Sequence, residues 1–193
     1  MTESNPFGKL QGNFGQPKST SATIDYTHPQ EARMRELLET ALAESPTGAR
    51  LLKVAEQQKI TIGLIKSKNA SGFSPESRSV FVALPPELST IPAEAVLELG
   101  AALRQAELHL LGVKNPDNSM PSYDYTVAYD TKMVDSITIM CKMTSELYEK
   151  GHLEFLDALK RMGHGEMYQT FVENGPGDEM VDVYYKVYDK KAD

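Results

Sequence analysis

The chain has 193 residues, with 20 Lys and Arg against 27 Asp and Glu, a formal net charge of −7, an apolar fraction of 40% and a charged fraction of 24%. This is the composition of a soluble globular chain of one-domain length, with enough apolar material to bury a core unaided. A single cysteine, Cys141, excludes a disulfide framework and a multi-cysteine zinc site, and an acidic balance without a basic run argues against nucleic acid or an anionic membrane as partner.

Residues 1–28 are rich in Gly, Ser, Thr, Asn, Gln and Pro and show no hydrophobic period, which predicts a disordered N-terminal arm ahead of a single domain over 29–193. The opening residues lack the apolar h-region of a signal peptide, and no apolar run reaches membrane-span length, so the expected place is the cytoplasm. Met34, Leu37, Leu38, Ala41 and Leu42 recur at helical spacing and predict an amphipathic helix over 29–44. Ser45-Pro46-Thr47 ends it and starts a second, whose stripe is Leu51, Leu52, Val54 and Ala55. Alternating β-branched residues over 60–65 predict a strand. A turn over 66–73 and a second strand over 78–84, antiparallel to the first, follow.

Thr90 as N-cap, a proline in the first turn and Glu94 near the positive end predict a helix over 91–111. It is apolar on most sides and therefore central and buried. A loop over 114–125 precedes a long helix over 127–150, ended by Gly151. Another helix runs over 153–172, with a break possible at Gly163-His164-Gly165. Alternation of Val181, Val183, Tyr185 and Val187 favours a strand or extended segment at the end.

No complete catalytic constellation stands in the sequence. His28, His109, His152 and His164 form no H-E-x-x-H, and His109 follows Glu107 at i+2, on a different helix face. No phosphate-cradling glycine loop occurs in a strand–loop–helix context. Cys141, among apolar helix residues, reads as a buried inert thiol, and Asp124 and Asp130 read as surface acids near a helix start.

The order of elements, with Ile60-Thr-Ile62, Gly72-Phe-Ser-Pro75, Ser79-Val-Phe-Val82 and the helix from Glu94 to Ala106, resembles bacterial zincin-like metallopeptidase domains over about residues 46–160. The resemblance implies an α+β fold: mostly helical, with a small antiparallel sheet and a central buried helix. The family's H-E-L-R-H falls on Ala101-Ala102-Leu103-Arg104-Gln105, and its E-A-D-A falls on Met133-Val134-Asp135-Ser136. Both histidines, the general-base glutamate and the third ligand are thus replaced, by Ala101, Gln105, Ala102 and Met133; Leu103, Arg104 and Ala106 match the helix, and of E-A-D-A only Asp135 survives, as a supporting residue. Zinc hydrolysis needs two imidazoles on one face, a carboxylate between them and a further ligand. Alanine and methionine supply none of these.

The resemblance therefore implies a catalytically inactive relative with no zinc or other cofactor, retained to bind an unidentified protein or peptide or to serve as structure. Ser79, Val80, Phe81 and Val82 would border a groove floored by Ala101, Gln105 and Met133, suited to an aliphatic or aromatic side chain. Two other readings stand beside it. One is an active enzyme with unusual ligands, His109, Asp135 and either His152 or His164. The other is a small acidic adaptor without protease ancestry.

Overall fold

A computed structural model describes residues 29–66, 71–84, 90–113, 116 and 119–188. The expected arm over 1–28 lies outside the described residues, as do parts of the two loops over 66–73 and 114–125. The described elements are α1 (Pro29–Ala43), α2 (Pro46–Gln57), β1 (Thr61–Lys66), β2 (Gly72–Ser74), β3 (Ser79–Leu84), α3 (Ala93–Leu110), α4 (Ser122–Glu149), α5 (Glu154–Arg161), α6 (Gly165–Asn174) and α7 (Asp178–Tyr188). The fold is α+β, with a small mixed sheet against a mostly helical body.

The α1–α2 corner follows from Ser45-Pro46. The Ser45 hydroxyl accepts from the Gly48 backbone N–H at 3.0 Å as the N-cap of α2, and Pro46 occupies the first turn. Gly48 is required by close approach: a Cβ there would lie 2.1 Å from the Leu42 carbonyl oxygen. Glu146 of α4 closes the corner from a hundred residues away. Its carboxylate accepts from the Ser45 hydroxyl at 2.5 Å, the Thr47 backbone N–H at 2.8 Å and the Thr47 hydroxyl at 2.6 Å. Burial works against that charge, but the hydrogen bonds from Ser45 and Thr47 outweigh it and hold the carboxyl below the usual range.

Helix α3 is the centre of the core. Val96, Leu97, Leu99, Ala102, Leu103 and Ala106 are all buried, and the helix touches β2, β3, α1, α2, α4 and α5. Small residues bring the facing helices close. A Cβ on Gly100 would come within 2.2 Å of Met143 Cε, so the Met143 side chain lies in the notch that the glycine leaves. Cys141 is buried on α4 and its thiol is pushed up to about 12 by burial, which makes it inert as a nucleophile at neutral pH.

Four predicted features differ from what forms. The sheet order is β1-β3-β2; β3 runs parallel to β1 and antiparallel to β2. The stretch read as a turn contains β2, too short at three residues to leave a hydrophobic pattern. It reverses the chain once, and the tight return through Arg78 (φ 49) reverses it again, so β3 comes back parallel to β1. The final segment is helix α7, not a strand: Met180 and Tyr184, four apart, are its buried residues, while Val181 and Tyr185 are exposed. Acids in its first turn and the φ of 78 at Gly175 suit a helix start after a break.

The N-cap of α3 is Pro92, without a side-chain bond, rather than Thr90. Helix α4 begins at Ser122, five residues ahead of the predicted start. Its opening turns are polar and aromatic, without the apolar period that marks a helix. The break between α5 and α6 falls at Gly163 (φ 86). Among the described residues, no helix is long and apolar enough to cross a membrane.

Candidate functional site

Of the positions that the resemblance sets against a zinc helix, Arg104 and Gln105 meet α4. Gln105 Nε2 donates to the Ser136 hydroxyl at 3.4 Å, Arg104 meets Asp135, and Gly100 receives Met143. As the number rises on α3 it falls on α4, so the two helices run antiparallel. Met133 is one turn from Ser136 and packs, partly buried, against the core. Ala101 is 8% exposed and Ala102 1%, so both methyl groups serve the packed interior.

Around these residues runs a chain of ion pairs. Arg104 Nε and Nη2 each donate to Asp135 at 2.8 Å, a two-pronged contact between α3 and α4. Arg104 Nη1 donates to Glu107 at 2.6 Å, and Glu107 also receives both Nη groups of Arg50 from α2. The side chains of Arg104, Asp135 and Glu107 are 21%, 29% and 13% exposed, so solvent screens them only in part. Hydrogen bonds from Arg50, then from Arg104, hold the Glu107 carboxyl below the usual range against its burial. Asp135 in turn holds Arg104 firmly charged. The net effect is a clasp, Arg50–Glu107–Arg104–Asp135, across three helices.

The residues named for other roles are dispersed among different partners. His109, exposed in the last turn of α3, sets its ring 5.5 Å from that of Phe73. His152 pairs with Glu154 at 3.4 Å and stands edge-on to Phe155. His164 Nδ1 lies 2.5 Å from the Tyr188 hydroxyl. Both carboxylate oxygens of Asp135 accept from Arg104. The alternative ligand set of His109, Asp135 and His152 or His164 is therefore not drawn together by these contacts. Among the described residues, no group of three or more His, Cys, Asp or Glu is placed to hold a metal ion. The side chains at the matched positions, two methyl groups, an amide and a thioether, do not fit a zinc ion.

The expected groove also takes a different form. Because β3 is the central strand, Ser79, Val80 and Phe81 are paired on both sides and closed to an added strand, while Val82 pairs with Leu64 of β1. Val80 and Val82 are wholly buried, while Phe81 covers Gly72 on the other face. A groove of about 380 Å³ lies instead between α4 and the start of α7, walled by Val134, Thr138, Val181 and Tyr185, with Asp130 and Asp135 along it. Asp130 accepts from the Tyr184 and Tyr185 hydroxyls at 3.3 and 3.0 Å.

Glu146 and Arg50 escape a reading of the sequence. Each acts on a residue 57 or more positions away, and no local pattern marks such a pair. A pairing of Arg104 with Asp135 is recoverable only through the resemblance, which places one on each of two facing helices. No family model, no curated protein and no solved structure matches this chain.

Proposed function

We propose that the chain is a catalytically inactive relative of the zincin-like metallopeptidases, working in the cytoplasm as a scaffold that binds a protein or peptide partner. One observation carries the reading. At the face where such an enzyme would keep two imidazoles and a carboxylate, Ala101 and Ala102 are buried as packing, and Arg104 is spent on Asp135 and Glu107. The same α3–α4 face that would orient a metal site instead fastens three helices together. The cytoplasm suits a chain whose single thiol, Cys141, is buried and unpaired.

The test is metal content and hydrolysis measured together. Protein purified without chelator should carry far less than one equivalent of zinc by mass spectrometry and should leave unstructured peptide substrates uncut with zinc supplied. Stoichiometric zinc that resists dialysis and is lost in His109→Ala would overturn the proposal in favour of an active enzyme with unusual ligands.

A further inference from the structure

Helices α4 and α7 leave between them a groove that is apolar along its walls and acidic at one place. Val134, Val181, Pro176 and the Tyr185 ring wall it, with the Asp130 carboxylate along it, around one space of about 380 Å³. Val181 and Tyr185, four apart on α7, are 39% and 38% exposed, so the core leaves much of each uncovered. Asp135 borders the groove too, but Arg104 Nε and Nη2 occupy its two oxygens. Asp130 differs. It accepts only from the Tyr184 and Tyr185 hydroxyls, and no ion pair reaches it among the described residues. Neutral phenols satisfy a carboxylate's lone pairs without cancelling its charge. Burial, then the Asp130 charge, raise Tyr184 above its usual range, so its phenol keeps its proton and donates.

The neighbouring charges do not cancel Asp130. Lys186 stands 3.7 Å from Glu166, and Lys132, two positions along α4 from Asp130, leaves the helix on another side. Asp178 and Glu179 in the first turn of α7 offset the positive end of that helix. One uncancelled negative charge thus remains beside apolar wall and an aromatic ring, in a chain of net charge −7. We infer that this groove receives a basic side chain, arginine above all, of a partner protein. An arginine lays its apolar stem along walls such as Val134 and Val181 and keeps its charged head at the polar end. Its planar guanidinium also stacks on a tyrosine ring while donating to a carboxylate. The inference rests on the partner-binding part of the reading above and gives that partner a chemistry. It makes no use of the zinc resemblance, so stoichiometric zinc would overturn that reading and leave the groove to be judged by its own test.

The experiment is a nuclear magnetic resonance titration of the full chain with a blocked glycine peptide carrying one central arginine, taken into the millimolar range. The amide signals of Val181 and Tyr185 should shift and saturate, and binding should weaken as salt is raised. The same peptide with citrulline, which keeps the shape and loses the charge, should bind about fivefold more weakly or worse, and so should the arginine peptide to Asp130→Asn. Thr131→Lys, at an exposed position in the groove wall, should block binding by placing a cation there first. Circular dichroism shows that each variant folds. No saturable shift at the groove, equal binding of the citrulline peptide, or indifference to both variants would each overturn the assignment. Tighter binding by Lys190→Gln with Lys191→Gln would also overturn it, because the chain's own tail would then be the occupant.

Discussion

Removing the Arg104–Asp135 contact should cost more stability than any surface ion pair. Two hydrogen bonds of 2.8 Å join a guanidinium and a carboxylate that are 21% and 29% exposed. A hydrogen bond to a charged group contributes about 1.5–3 kcal/mol, and exposed pairs typically less than 1. Allowing for the remaining solvent, the coupling between the two side chains should be about 1–3 kcal/mol. Arg104→Ala should cost somewhat more, about 2–4 kcal/mol, because it also strips one donor from Glu107, which keeps Arg50. For a domain of this size that corresponds to a fall of roughly 4–16 °C in Tm. Urea unfolding of the wild type, Arg104→Ala, Asp135→Ala and the double variant closes a double-mutant cycle. A coupling under about 0.5 kcal/mol, with unchanged slopes, would place the pair with exposed surface pairs and refute the clasp.

Acid should unfold the protein through Glu107 and Glu146, whose carboxyls sit below the usual range in the fold. Their stabilisation is complete above the unfolded value of about 4.3 and is lost as pH falls through the lowered folded values, so Glu107→Gln and Glu146→Gln should each flatten the acid limb of a stability–pH curve. Glu98 should behave oppositely: burial, offset in part by the Ser71 hydroxyl and reinforced by Glu94, raises its carboxyl, so Glu98→Gln should lose little or gain stability at pH 7, as chemical denaturation would show. Gly48→Ala should be worse than Gly100→Ala in thermal melts, because the new Cβ meets the Leu42 carbonyl oxygen of the backbone at 2.1 Å in one case and the movable Met143 tip in the other; the latter should cost about 1–3 kcal/mol. Finally, Ala101→His, Gln105→His and Met133→Glu together, with Ala102→Glu as base, should create micromolar zinc binding and a zinc-dependent rise in Tm. A folded variant indifferent to zinc in calorimetry would mean that the three positions do not converge, and the resemblance would fall with it.

The local elements were legible wherever the chain's own chemistry decides them. The helical spacing of Leu38 and Leu42, the Ser45-Pro46 corner, the alternation through β3 and the apolar run of α3 each point to the form found. The burial of α3 and Cys141 follows from the same apolar surroundings. Tertiary structure decided the rest. Gly72–Ser74 becomes a strand because Val80 and its neighbours offer a free edge, and with it β3 turns from the expected edge into the centre. Val181 to Val187 alternate like a strand, yet helix α7 sets Met180 and Tyr184 into the core in their place. The candidate site divides in the same way. That Ala101, Ala102, Gln105 and Met133 lack zinc chemistry is plain from residue type alone. The clasp of Arg50, Glu107, Arg104 and Asp135, and the reach of Glu146 to Ser45 and Thr47, arise only when helices distant in sequence meet. Periodicity records which face a residue turns to its own element; it carries no record of which other element that face will find.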